Sequence, residues 1–492
     1  MTRAFRALAD IEALEQTPYE EAIPARTTYG LIARAAQLHG GRDAFVYLPD
    51  ADPATPPRRV SYTELLENIH RAANLFRSLG AGAEDSVAIL APNIPEAHYA
   101  LWGAQLASRA CPINYLLQPA HIAALLKASG AKVVVTIGAS AQLDLSAVIA
   151  QVQSLVDVPV LRIDVGGGEA LSFQELLAQQ PPEPVFDPQL SPGRIAACFH
   201  TGGTTGAPKL AQHTHGNEAH TSWFAPRFYG FDETTVEING FPLFHVAGAF
   251  VYGLALLSAG GTQVLPTLTG MRNAAFVKNY WKFCEREKVT ALACVPTILA
   301  TLVNLPVDAD ISSVAVAYTG GSPLPSELAA QFEKSTGIAV RNILGMTECA
   351  GLVSIEPAGS PRVTGSAGLR LPYTEVRVVR WRDGEARLDE ACAQGETGVV
   401  ILRGPHVSPG YTDAARDAGM FERGWLVSGD LGHIDEQGYV HLTGRAKDVI
   451  IRGSHNIDPA LSRKPSSRTL RWRCAPWSES PTLMRASCRW RS

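Results

Sequence analysis

Nine consecutive residues, Thr201-Gly202-Gly203-Thr204-Thr205-Gly206-Ala207-Pro208-Lys209, combine glycines, threonines and a terminal lysine. Glycines let a backbone approach an anionic group closely and turn its N–H groups toward it. The threonine hydroxyls add donors, and Lys209 adds a positive charge. The chemistry such a stretch supports is the cradling of phosphates; the bland alternative is a glycine-rich surface turn. The spacing is not that of the common G-x-x-x-x-G-K-[ST] loop, because Lys209 follows Pro208 rather than a glycine.

Further downstream stand Phe241–Gly248 (FPLFHVAG), Tyr318–Pro325 (YTGGSPLP), Leu344–Glu348 (LGMTE), and VSGDLG followed by GRAKDVIIRGSHNI within 427–457. A lone carboxylate or histidine is usually solvated, a cap or a core group. The ordered set outweighs that reading. Together the five blocks resemble the adenylate-forming (AMP-binding) superfamily, and within it the acyl-CoA synthetases and fatty-acid–CoA ligases. The resemblance spans roughly residues 30–461.

The resemblance implies a division of labour. Thr201, Gly202, Gly203, Thr204, Thr205, Gly206 and Lys209 would hold the phosphates of ATP. Glu348 would coordinate Mg²⁺, a hard cation that takes oxygen ligands. Gly320, Gly321 and Ser322 would wall the adenine slot, with Leu344, Gly345, Met346 and Thr347 beside the nucleotide. Asp430 would accept hydrogen bonds from the ribose hydroxyls and Arg445 would contact ribose or phosphate. His245 would stand at the acyl pocket beside the thiol path, with Val246, Ala247 and Gly248 as small apolar lining. Catalysis would fall to His245, Lys209, Thr347 and Glu348, and Lys447 would be a hinge. The implied reaction has two steps: a carboxylic acid attacks the α-phosphorus of ATP, then coenzyme A attacks the acyl-adenylate. The alternatives are an adenylation domain that loads a carrier-protein thiol, and an inactive nucleotide- or acyl-binding remnant. Three positions depart from the usual pattern: Gly202 stands where serine is common, Leu210 where glycine is, and Leu344 where an adenine-stacking tyrosine is.

The elements that would position these residues alternate. Thr63–Leu79 reads as an amphipathic helix, Ser86–Leu90 as a strand, Ile94–Ser108 as a helix, Ala120–Ser129 as a helix stopped by Gly130, and Val133–Ile137 as a strand. Ile195–Phe199 reads as a strand before the glycine-rich loop. Asn273–Lys288 and Leu324–Thr336 read as helices, each followed by a strand, Ala291–Val295 and Ala339–Leu344. This is the texture of a layered α/β fold. From about residue 365 short β-rich segments take over, and Pro181–Pro192 reads as a linker or loop. The expected organisation is a large domain over 1–446, with a β-rich subdomain at 365–446, and the start of a small C-terminal domain at 447–461.

Residues 462–492 carry eight Lys/Arg, one acidic residue and no apolar periodicity. They are expected to be a disordered basic tail. Plausible codons read in another frame give a continuation typical of the family, so a frameshift near Leu461, with most of the small domain missing and activity impaired by its loss, is the expectation.

A net charge of −4 without a basic stripe argues against nucleic acid as a partner. No run reaches the ~18 apolar residues of a membrane-spanning helix, and the N-terminus lacks a signal-peptide core. The cysteines have no C-x-x-C pair, so free thiols in the cytoplasm are expected.

Overall fold

The computed structural model describes residues 4–201 and 209–446, together with the backbone of the short strands Ile450–Arg452 and His455–Ile457. The chain divides into two compact units, Met1–Lys447 and Asp448–Ser492. Within the second unit those two strands pair antiparallel. Lys447, expected as a hinge, and the tail 462–492 lie outside the described residues.

In the first unit the helix Tyr62–Ser78 starts where the Ser61 hydroxyl accepts the Glu64 N–H at 3.1 Å. Leu65, Ile69, Ala72, Ala73 and Phe76 are buried along one face. The strand Ser86–Leu90 follows, then the helix Pro95–Ala107, which opens on proline and is buried along its whole length. The helix Pro119–Ser129 ends at Gly130, whose φ of +67° suits a residue without Cβ. These elements build a sheet in the order Val160–Ile163, Ala131–Ile137, Ser86–Leu90, Arg109–Pro112, Ile195–His200, Leu210–Thr214. Its strands are parallel except the last pair, which is a hairpin.

A second sheet runs Leu369–Arg370, Ser354–Ile355, Ala339–Leu344, Val316–Gly320, Ala291–Cys294, Val236–Ile238, Thr262–Leu265, Asp43–Tyr47, Arg58–Ser61, with a parallel centre. One apolar core touches both sheets, including Phe76, Trp102, Phe199, Phe250 and Tyr318. The β-rich part is antiparallel: Glu385–Ala391, Glu375–Arg382, Gly398–Arg403 and Trp425–Ile434 pair in order, with Val440–Arg445 also on Trp425–Ile434. A small cluster of Cys349, Val353, Leu402 and Leu426 seats this sheet against Leu344 and Met346.

Two sequence expectations change. The single helix over Asn273–Lys288 is two, Ala274–Lys278 and Tyr280–Glu287. The break is at Asn279, whose side-chain amide donates to the Ala51 carbonyl at 3.0 Å. The helix expected from Leu324 begins at Ser326, because Pro325 takes the extended N-cap position. Pro181–Pro192 is a loop but not a slack one. Asn74 donates to the carbonyls of Pro181 and Glu183 at 3.1 and 2.8 Å, and His70 Nδ1 donates to that of Pro182 at 2.7 Å.

The helices Tyr62–Ser78 and Pro95–Ala107 meet at Gly103, where a Cβ would sit 2.6 Å from the Ala72 methyl and 3.0 Å from the Ile69 carbonyl. Gly103→Ala is expected to lower unfolding free energy by about 1–3 kcal/mol through overpacking. Chemical denaturation measures it, and a variant as stable as the parent would refute this account of the helix contact.

Candidate active site

The glycine-rich stretch is the tip of a hairpin rather than a strand-to-helix loop. Ile195–His200 pairs antiparallel with Leu210–Thr214, and the Thr201 N–H donates to the Lys209 carbonyl at 3.0 Å. The returning strand was not read from the sequence. Residues 202–208, and with them Gly202, Gly203, Thr204, Thr205 and Gly206, lie outside the described residues. The base of the loop is fixed by its neighbours: the Gln212 N–H donates to the Gly410 carbonyl and the Thr412 N–H to the Leu210 carbonyl, at 3.0 and 2.9 Å.

That pairing brings Tyr411 to Lys209. The ammonium nitrogen of Lys209 lies 4.1 Å from the centre of the Tyr411 ring, a cation–π distance. The Tyr411 hydroxyl donates to Glu348 Oε1. Burial, with the Glu348 charge second, pushes the phenol pKa up, so it remains a donor. Glu348 is buried in the turn Thr347–Cys349, and Ala350 beyond it takes a left-handed φ of +51°. Gly345 permits this folding back, since a Cβ there would collide with the Gly351 carbonyl oxygen. Nothing in the spacing of Tyr411 marks it as a site residue.

Gly320 ends the strand Val316–Gly320, directly beside Ile343 of the parallel strand Ala339–Leu344. A Cβ on Gly320 would be 2.8 Å from the Ile343 carbonyl oxygen, and Gly321 has a φ of +80°. Gly320-Gly321-Ser322 and Leu344-Gly345-Met346-Thr347 therefore leave adjacent strand ends together. Met346 and Leu344 also pack against the small cluster under the β-rich sheet.

Asp430 and Arg445 are cross-strand neighbours, with Arg445 Nε 2.7 Å from Asp430 Oδ1. The carboxylate is buried and the arginine is largely exposed. Burial raises the Asp430 pKa, and the Arg445 charge opposes that shift. One oxygen is thus neutralised from the solvent side.

His245 keeps an exposed edge, and Nδ1 accepts the Ala247 N–H at 3.1 Å. The protein packed around the ring lowers its pKa below the ordinary histidine value. Ala247–Leu254 is wound as a wide π-helix, an element the sequence reading missed. Gly248 allows it, because a Cβ would sit 2.5 Å from the Pro242 carbonyl oxygen. Val246 and Ala247 are buried. A cavity of about 300 Å³ opens beside Phe241 and Phe244, lined also by Tyr115, Met271, Cys294 and Ile298. His245, Val246, Ala247 and Gly248, expected at the acyl pocket, do not line it. Among the described residues no group of three or more His, Cys, Asp or Glu could hold a metal by itself.

Residues 32–412 match the AMP-binding enzyme family. The chain belongs to that family. A marinolic acid–CoA ligase of Pseudoalteromonas sp. (strain SANK 73390) is 36% identical over 466 residues, 93% of this chain and 71% of the relative. ATP-bound MatB from Rhodopseudomonas palustris superposes with a TM-score of 0.74 at 25% identity, over 88% of this chain and 81% of that one. The anthranilate–CoA ligase AuaEII, in complex with anthranoyl-AMP, shares the fold with a TM-score of 0.77 at 22% identity, over 91% and 82% of the two chains. By family this AMP-binding enzyme is an AMP-forming acid–thiol ligase.

In this AMP-binding enzyme His200 closes the strand that enters the glycine-rich loop. Its Nε2 accepts the Asn114 N–H at 3.1 Å and its ring stacks on Phe244. Burial, then the neighbouring His121 and His245, lowers its pKa from 6.5 to about 4. Between those values the unfolded chain binds a proton that the folded chain refuses. Stability is therefore complete above pH 6.5 and is lost as pH falls toward 4. His200→Gln is expected to remove about 1–3 kcal/mol of the acid-side loss across that window. Urea unfolding at stepped pH reads this; an unchanged slope would contradict it.

Proposed function

We propose that this chain activates an apolar carboxylic acid with ATP and passes the acyl group to coenzyme A. The observation that carries the residue assignments is the line Lys209–Tyr411–Glu348. It sets a lysine at the base of the glycine-rich loop beside a buried carboxylate, through one phenol.

In this reading Thr201 and Lys209, with the loop between them, hold the phosphates. Lys209 neutralises charge that grows as pyrophosphate leaves. Glu348 suits Mg²⁺, because that ion binds through one or two carboxylates plus phosphates and keeps its remaining waters. A single buried carboxylate, held by a phenol and without a metal cage around it, fits that pattern. Bound there, the ion would supply further neutralisation of the phosphates. Asp430 takes the ribose hydroxyls as acceptor, while Arg445 holds its other side. Gly320, Gly321 and Ser322 give a flat ring room to approach, and Leu344 offers an apolar contact.

The protein packed around His245 lowers its pKa, which favours the neutral ring beside a carboxylate and a thiol path. The cavity beside Phe241 and Phe244 is mainly apolar, which suits an alkyl or aryl group. Catalysis is then chiefly positioning and electrostatics. Among the described residues no helix is long and apolar enough to cross a membrane. The free thiols, Cys111, Cys198, Cys284, Cys294 and Cys349 among them, fit a reducing cytoplasm.

The reaction is tested by acid-dependent exchange of labelled pyrophosphate into ATP, followed by coenzyme A-dependent AMP release, across fatty and aryl acids. No acid dependence with any of them would overturn the reading. Asp430→Ala is expected to raise the calorimetric Kd for ATP about tenfold, the loss of a charge-assisted hydrogen bond. Asp389→Ala, which breaks only the exposed pair with Arg423, should leave it unchanged. Equal effects would remove the ribose role from Asp430.

A further inference from the structure

His213 has no part in the roles assigned above, yet it is fully buried and bonded to the metal-site turn. It lies on the strand Leu210–Thr214, and its Nε2 is 2.7 Å from the carbonyl oxygen of Thr347. A carbonyl only accepts, so Nε2 carries the proton. Nδ1 is then a lone-pair nitrogen 3.4 Å from Glu218 Oε1, and burial drives that carboxyl toward its protonated form, the one form that can donate to it. Glu218 is fully buried on the helix His215–Tyr229.

The pair does not stand alone. Glu218 Oε2 accepts from Gln105 Nε2 at 2.8 Å, and Gln105 Oε1 accepts the Thr28 hydroxyl at 2.6 Å. The Thr28 oxygen is 3.0 Å from His215 Nδ1, which must donate because the hydroxyl proton is already committed. The network crosses from the helix Thr28–His39 through the helix Pro95–Ala107 to the turn Thr347–Cys349. The His213 ring is stacked on Phe199 at 5.1 Å and lies 5.8 Å from Phe250 of the π-helix. The ring plane and the Nε2–H are therefore fixed.

We propose that His213, oriented by Glu218, is a positioning residue that holds the Thr347–Glu348 turn so that the Glu348 carboxylate meets the metal on ATP. This rests on the reading of Glu348 as the Mg²⁺ ligand. The Tyr411 phenol holds the carboxylate from one side, and His213 holds the preceding peptide from the other. A bond to the peptide next to a ligand controls where that ligand points. Loss of such outer supports costs about 10–100-fold in metal affinity.

The test is calorimetric ATP binding in excess MgCl₂ and in EDTA, on the parent protein, His213→Leu, His213→Gln and Glu348→Gln. The readout is the gain in affinity that the metal gives. His213→Leu should cut that gain about tenfold while leaving the metal-free affinity unchanged. His213→Gln keeps an N–H within reach of the Thr347 carbonyl and should restore most of the gain. If His213→Leu does not fold, His213→Asn replaces it: its shorter amide falls short of Thr347 and should lose the gain that glutamine keeps. A full gain in His213→Leu, or equal loss of both affinities in the leucine and glutamine variants, would overturn the proposal. Glu348→Gln separates the two readings. If it loses the gain and His213→Leu does not, only the role of His213 falls; if it keeps the gain, the metal assignment falls and the role of His213 with it.

Discussion

Two backbone carbonyls and one carboxylate in the turn Thr347–Cys349 are each met by a donor from elsewhere in the chain, and the geometry of the site depends on those three contacts. His213 donates to the Thr347 carbonyl, the Ser408 N–H donates to the Glu348 carbonyl at 2.9 Å, and the Tyr411 phenol donates to the Glu348 side chain. The donors are themselves linked, since the Ser408 hydroxyl bonds the Gln212 carbonyl at 2.6 Å. A buried polar group left without a partner costs about 1–3 kcal/mol. The turn, the hairpin arm and segment 408–411 therefore adopt their positions together. The base of the glycine-rich loop is part of the same arrangement.

Charge is distributed by the same economy of burial. His98, His215 and His406 are each driven down to about 3 by burial, and His245 is also lowered. At neutral pH the rings of His98, His215 and His406 add no positive charge. Lys209 and Arg445 are both pinned, one on a tyrosine face and the other on a buried aspartate. In the proposed reading a nucleotide polyanion would meet cations whose locations are already fixed, which would lower the ordering cost of binding.

The departures from the common family pattern are accommodated by packing. Leu210 is buried in the main core opposite His200, so a larger side chain there extends the hairpin's apolar face. Leu344 packs with Met346 on the cluster beneath the β-rich sheet. The residue that replaces an aromatic stacking partner thus helps seat the subdomain that carries Asp430 and Arg445. Gly202 lies outside the described residues.

Much of this was legible in the linear chain. Helix and strand periodicities located Ser86–Leu90 and Ala339–Leu344 at their observed bounds. The ordered motifs nominated Lys209, His245, Glu348, Asp430 and Arg445, because residue type and local spacing are properties of short windows. The break at Asn279 and the π-helix at Ala247–Leu254 were not legible, since each answers to a distant group: the Ala51 carbonyl in one case, and close backbone contact at Pro242 and Phe241 in the other. Tyr411, His213, Glu218 and Gln105 were invisible for the same reason. Their partners stand 63 residues away for Tyr411–Glu348, 134 for His213–Thr347 and 113 for Gln105–Glu218. The sequence by itself determined which chemical groups are available and in what order. Only the folded chain decided which of them are buried together, because desolvation and hydrogen-bond satisfaction are set by neighbours that local spacing does not encode.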